Sequence, residues 1–218
     1  MGQQNKPRGT DAAYFLGARG WEYPAWDGRF YPDDLPSDWR LIYYANEFST
    51  VLVPEDRFAA ASNEELEEWA EEVPEGFRFF VEIRQKALEE GDVETLAARL
   101  QLLGEHLGGV VIPGPSAHRC ENADTIRELA PVFGQWGSGS ELLRLLRPLG
   151  SSPQSVGQSV SILGEDAACH SVRQLRGWVE DVGEVCSAKD LFLFLDGPTP
   201  DIQLLQDGKT MLELMGLA

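Results

Sequence analysis

The sequence predicts an α/β fold built on a parallel sheet, and three observations carry that reading. Short runs such as Thr50-Val51-Leu52-Val53 and Leu191-Phe192-Leu193-Phe194-Leu195 are apolar throughout, the character of strands buried on both faces. Between such runs lie segments whose apolar residues recur at helical spacing. The two kinds alternate along most of the chain, which implies βαβ units. With 218 residues, 43% of them hydrophobic, the chain is long enough for one well-buried domain, whereas two would each be small.

The elements follow in order. Residues 1–12 are polar and read as a loose tail, with a single domain expected over 13–218. Tyr14-Phe15-Leu16 is a first strand cut off by Gly17 and Gly20. Trp21, Tyr23, Trp26, Phe30 and Tyr31 then place large rings in a loop spaced by Pro24, Gly28 and Pro32. Ser37 or Asp38 caps a helix over Trp39–Phe48. Thr50–Val53 is the second strand, ended by Pro54. Ser62 and Glu65 form a capping box for a helix through Val73, with Leu66, Trp69, Ala70 and Val73 on one face. Phe77–Ile83 is the third strand.

The alternation continues with a helix over Asp92–Leu107 stopped by Gly108-Gly109, then a fourth strand, Val110–Ile112, closed by Pro113-Gly114-Pro115. A helix over Asn122–Phe133, interrupted by Pro131, leads through a linker (Gly137–Ser140) to a fifth strand at Leu142–Leu146. Pro148–Gln158 has no periodicity and reads as loop. Ser159–Leu163 is a strand, Val172–Val185 a helix, Leu191–Leu195 the last strand, and Ile202–Met215 a final helix with Gly208 weakening its middle. That makes seven strands. Eight-stranded barrels usually take about 250 residues, so one βα unit between the fifth and last strands is expected to be shortened or lost.

Composition excludes several classes of function. The net charge of −18 repels phosphate backbones and disfavours a nucleic-acid partner. Only four basic residues are lysines, and an acidic, lysine-poor surface fits either a high-salt cytoplasm or, as the plainer reading, simple solubility. Cys120, Cys169 and Cys186 are odd in number and unrelated in spacing, which fits a reduced interior rather than a disulfide framework. No run is long enough to span a bilayer, and the N-terminus lacks an apolar signal core. A soluble, cytoplasmic protein is expected, with its oligomeric state left open.

The block Gly17-Ala18-Arg19-Gly20-Trp21-Glu22-Tyr23-Pro24-Ala25-Trp26-Asp27-Gly28-Arg29-Phe30-Tyr31-Pro32 resembles the opening of the YecE-like family, domain-of-unknown-function family seventy-two. The likeness continues through Asp38–Thr50 and Asn63–Phe79, then weakens. It implies a TIM-type (β/α) barrel, here shortened or irregular, of about seven to eight parallel strands. The departures from the family pattern gather at the C-terminal ends of strands, where barrel enzymes keep their chemistry. Leu52 and Pro54 stand where members carry glutamate and asparagine. Glu82 replaces a lysine, Ile112 a glutamine, and Asp196-Gly197-Pro198 an Asn-Asn-Asp run. In the fifth strand, Arg147 remains without the glutamate that accompanies it. Such concentrated loss implies a degraded family site with no retained catalysis.

Candidate chemistry comes with an ordinary alternative in each case. Arg19, Glu82, Arg84 and Asp196 can form a polar mouth site for a small ligand, the carboxylates supplying acid/base groups; solvated or ion-paired strand ends are the plainer reading. Arg19 can bind an anion or simply pair with Glu22 or Asp27. Trp21, Tyr23 and Trp26 can stack on a ligand or pack the loop over the sheet. His118, Cys120, Cys169, His170 and Cys186 lack zinc-ligand spacing, so neither metal nor cofactor is expected. Ser116 and Ser159 lack a nucleophile-elbow context, and the glutamates from Glu64 to Glu72 are the wet side of a helix. Three readings stand together: a vestigial barrel acting if at all through binding, an enzyme or small-molecule binder with a rebuilt mouth, and an interaction module using an exposed aromatic loop.

Overall fold

The computed structural model describes residues 13–84, 92–112, 143–148, 160–163, 171–185 and 190–218. Seven strands are described: β1 (Ala13–Ala18), β2 (Thr50–Val53), β3 (Arg78–Glu82), β4 (Leu107–Ile112), β5 (Leu143–Pro148), β6 (Val160–Leu163) and β7 (Asp190–Leu195). They form one sheet in the order β1-β7-β6-β5-β4-β3-β2, and every pairing is parallel. The α-helices among the described residues are α1 (Arg40–Glu47), α2 (Glu55–Ala60), α3 (Asn63–Glu72), α4 (Val93–Gln101), α5 (Val172–Val185) and α6 (Ile202–Met215). The fold is mixed α/β with parallel strands, and no helix among the described residues is long and apolar enough to cross a membrane.

Side-chain alternation along the strands sorts the apolar residues into two separate cores. Tyr14 and Leu16, Val51 and Val53, Phe79 and Val81, and Leu191, Leu193 and Leu195 face the helices, meeting Leu41, Leu66, Leu100, Leu175 and Leu205. The other parity, Leu52, Phe80, Val111, Phe192 and Phe194, forms a cluster of its own with Phe15 packed against it. Three strands lie between β3 and β7 in the sheet order. In a flat sheet, four inter-strand spacings would separate their side chains by roughly 19 Å. The Phe80 ring nevertheless sits 4.5 Å from Phe192 and 5.4 Å from Phe194. The sheet is therefore strongly curled, with this second cluster on its concave side.

Curling brings the two ends of the strand order together. At the C-terminal end Arg19 bridges to Leu52, and Gly20 N–H donates to the Leu52 carbonyl at 2.8 Å. One step lower a side chain mediates the join. The buried Tyr44 hydroxyl accepts from Ala18 N–H at 2.8 Å and donates to the Thr50 carbonyl at 3.0 Å. Gly17 is required there, because a Cβ would lie 2.2 Å from the Thr50 carbonyl oxygen. Lower still, Tyr14 N–H is taken by the Leu217 carbonyl at 2.7 Å. Here a cleft of about 420 Å³ opens between the starts of β1, β2 and β3, walled by Tyr14, Phe48, Phe77 and Leu212.

Several local expectations need correction. The helix expected to run to Leu107 stops at Gln101, and Gly104, at φ +54°, turns the chain into a 3-10 turn before β4. Gly108-Gly109 is consequently no helix stop. It lies inside β4 where the register jumps, Phe79 pairing Leu107 and Phe80 pairing Gly109, so Gly108 is the extra residue of a bulge. A Cβ on Gly108 would sit 2.7 Å from the Phe80 ring. Neither Ser37 nor Asp38 caps α1 through its side chain, since a 3-10 turn over Ser37–Trp39 feeds directly into that helix. Ser62 does cap α3, accepting from Glu65 N–H. Gly208 is buried in α6, where a Cβ would meet Leu16 and Leu175 at 2.6 Å; close packing accounts for it. The expected helix at 122–133, the linker at 137–140 and most of the loop expected at 148–158 lie outside the described residues. Pro148 itself belongs to β5.

Candidate functional site

The concave face ends in charge. Phe15 and Gly17 on β1 are followed at the same parity by Arg19, Phe80 on β3 by Glu82, and Phe192 and Phe194 on β7 by Asp196. Three strand ends thus aim ionic groups at one point above the apolar cluster. Arg19 Nε donates to Glu82 Oε2 at 2.7 Å and lies 3.9 Å from Asp196 Oδ1. The Glu82 side chain is 7% exposed, Arg19 25% and Asp196 34%, so the ion pair descends from solvent toward the core. Burial opposes the charge on Arg19, but the hydrogen bond and charge of Glu82, with Asp196 behind, more than offset it and raise its pKa. Asp196 Oδ1 also accepts from Gly197 N–H at 2.8 Å, which fixes the carboxylate at the strand end.

Tyr23 completes this corner. Its hydroxyl donates to the Arg19 carbonyl, and burial pushes its pKa up to about 12, the effect partly countered by Arg19. The phenol is therefore a neutral donor, not a base. The expected local partners of Arg19 are engaged elsewhere. Glu22 pairs with Arg57 at 2.8 Å and Asp27 with Arg40 at 2.7 Å. Arg84 does not join Glu82 either. Its guanidinium reaches Glu55 at 3.1 Å and Asp56 at 3.5 Å, and its backbone N–H donates to Glu55, tying the end of β3 to the start of α2.

The aromatic loop is packing. Trp21, Trp26, Phe30 and Tyr31 are all buried, so the exposed patch that the interaction reading requires is not present at these rings. Trp26 Nε1 donates to the Pro200 carbonyl at 2.9 Å, and the Tyr31 hydroxyl to the Trp21 carbonyl at 2.6 Å. Arg57, which the sequence reading passed over, lies 4.6 Å from the Trp69 ring and 5.6 Å from Trp21, and it pairs with both Glu22 and Glu65. The only sequence signal for it is a lone basic residue in an acidic stretch. Among the described residues no group of three or more His, Cys, Asp or Glu side chains could hold a metal. His106 is buried with Nδ1 3.1 Å from the Phe77 carbonyl, a structural contact.

Across residues 15–147 the sequence matches the family model described as "Protein of unknown function DUF72". The chain belongs to the DUF72 family. Solved DUF72 structures share its fold. One from Thermotoga maritima superposes with a TM-score of 0.65 at 14% identity, covering 92% of this chain and 99% of that one. Another, from Enterococcus faecalis, gives 0.53 at 12% identity and covers 95% and 99%. A search of curated proteins finds no match to the sequence. At these identities the DUF72 likeness concerns the fold alone.

Proposed function

We propose that this chain is a DUF72 protein whose family site is degraded and which retains no catalysis, its remaining capacity being recognition of a small polar ligand at the mouth. One observation carries the reading: the space beneath Arg19, Glu82 and Asp196 is occupied by Leu52, Phe80, Val111, Phe192 and Phe194. Leu52 stands where the family pattern has a glutamate, and Glu82 where it has a lysine. The reversed charge is answered by Arg19, so Glu82 is held in an ion pair, with Asp196 behind it. A base held in an ion pair over an apolar floor is poorly placed to accept a substrate proton. The odd cysteine count supports a reduced, cytoplasmic setting.

The same reading takes the curled sheet as a TIM-type barrel, shortened or irregular, of about seven to eight parallel strands. It is supported by the ring contacts across the concave face and by the join of β1 to β2. To test the loss of catalysis, the protein is incubated with mixed sugars, sugar phosphates and nucleotides, and the mixture is followed by mass spectrometry. No compound should be consumed. Consumption that disappears in Glu82→Gln would overturn the reading.

A further inference from the structure

The ion trio at the mouth leaves particular hydrogen-bonding capacity unspent. Of the Arg19 guanidinium, only Nε is engaged among the described residues; the Nη1/Nη2 edge, one of the two edges able to hold a carboxylate through two parallel bonds, has no partner there. Glu82 is used through Oε2 and Asp196 through Oδ1, so each carboxylate keeps a second oxygen. Arg19 and Asp196 are open to solvent in part, and Glu82 closes the bottom. Tyr23, whose hydroxyl is spent on the Arg19 carbonyl, holds the backbone from which Arg19 projects.

We propose that this mouth binds a small zwitterion of the α-amino-acid type, with its carboxylate on the Arg19 Nη edge and its ammonium between Asp196 and Glu82. Charge decides among the ligand classes. One guanidinium between two carboxylates carries a net charge of −1, which rejects phosphates and other polyanions. A plain amine would leave the Arg19 edge empty, and a plain carboxylic acid would leave both spare carboxylate oxygens without a donor. A polyol meets the hydrogen bonds but answers none of the charges, whereas a zwitterion answers each with its opposite. The apolar cluster beneath sets the depth, so the two charged groups bind in the plane of the trio and the ligand side chain points outward. This inference rests on the recognition role proposed above.

Calorimetric titration and thermal shift on the full chain test it. The probes are a set of free amino acids, their amides (no carboxylate), the matching α-hydroxy acids (no ammonium), glycerol and inorganic phosphate. At least one amino acid should bind and raise the melting temperature, while its amide and its hydroxy acid bind at least about tenfold more weakly. Asp196 is partly exposed, so Asp196→Asn should fold normally, lose the amino acid by a similar factor and narrow the gap to the hydroxy acid. Arg19→Lys keeps a charge beside Glu82 but lacks the two-pronged edge, and it too should lose the ligand. Absence of binding by every amino acid, or equal binding of the amide or the hydroxy acid, overturns the zwitterion assignment and leaves the loss of catalysis standing. Turnover of any probe sinks the non-catalytic reading instead.

Discussion

Tyr44→Phe removes a single oxygen from the join between the two ends of the sheet. In the wild type that oxygen accepts from Ala18 N–H at 2.8 Å and donates to the Thr50 carbonyl at 3.0 Å, and it is fully buried. Burial also pushes the Tyr44 pKa above the ordinary tyrosine range, so the hydroxyl stays protonated and serves both partners. Phenylalanine keeps the ring, which lies parallel to Trp26 at 6.3 Å, so little packing is lost. The cost comes from the two stranded backbone groups. A buried donor or acceptor left without a partner costs about 1–3 kcal/mol, so the pair should cost about 2–6 kcal/mol. Gly17 and Thr50 are already in close approach, which prevents the strands from closing directly over the gap. Urea denaturation of wild type and variant measures the difference, with an unchanged denaturant slope as the check that both unfold in the same way. Tyr43→Phe, one residue along the same helix on a half-buried ring, is the control and should change stability by less than about 0.5 kcal/mol. If the two variants are indistinguishable, the hydroxyl does not hold the join.

Gly108→Ala should destabilise by about 1–3 kcal/mol in the same assay, because its Cβ would press on the Phe80 ring, itself locked against Phe192; a neutral or stabilised variant would remove the bulge from the account. Ser62→Ala should cost about 1 kcal/mol through loss of the cap on Glu65 N–H, while Ser62→Gly should cost only a few tenths. Tyr23 has its folded pKa raised to about 12 against about 10 for a free tyrosine, so its stabilising contribution is complete below the lower value and is lost as pH climbs through the higher. In an ultraviolet phenolate titration, Tyr23→Phe should therefore remove a late-ionising step; loss of an early one would show that the phenol is not shielded.

What could be read from the residues was whatever local pattern decides. The bounds of β2, α5 and α6 follow directly from apolar runs and helical stripes, and they coincide with the observed elements. Gly108-Gly109 misled because two glycines after a helical stripe look like a stop, whereas Gly108 sits against an aromatic ring on the neighbouring strand. Gly208 is the same lesson in a helix. Arg19, Glu82 and Asp196 were each identifiable as mouth residues, yet their union was not, because Glu22 and Asp27 are nearer in sequence and Glu82 is nearer in space. Parity held the missing clue: Arg19, Glu82 and Asp196 continue the phase of Phe15, Phe80 and Phe194. The aromatic block could be read as a ligand platform or as loop packing, and it is packing; the anchor itself was not legible, because long-range bonds such as Trp26 to Pro200 leave no trace in local spacing.

The interior beneath the mouth decides whether a working site survives there, and Leu52→Ala measures it. Leu52 is fully buried among Phe80, Val111, Phe192 and Phe194. If those side chains fill the concave face, truncating it leaves a dry cavity and costs about 2–5 kcal/mol in urea denaturation. A loss below about 0.5 kcal/mol with an unchanged slope would mean a hydrated, loosely lined chamber, and the picture of a plugged site would fall.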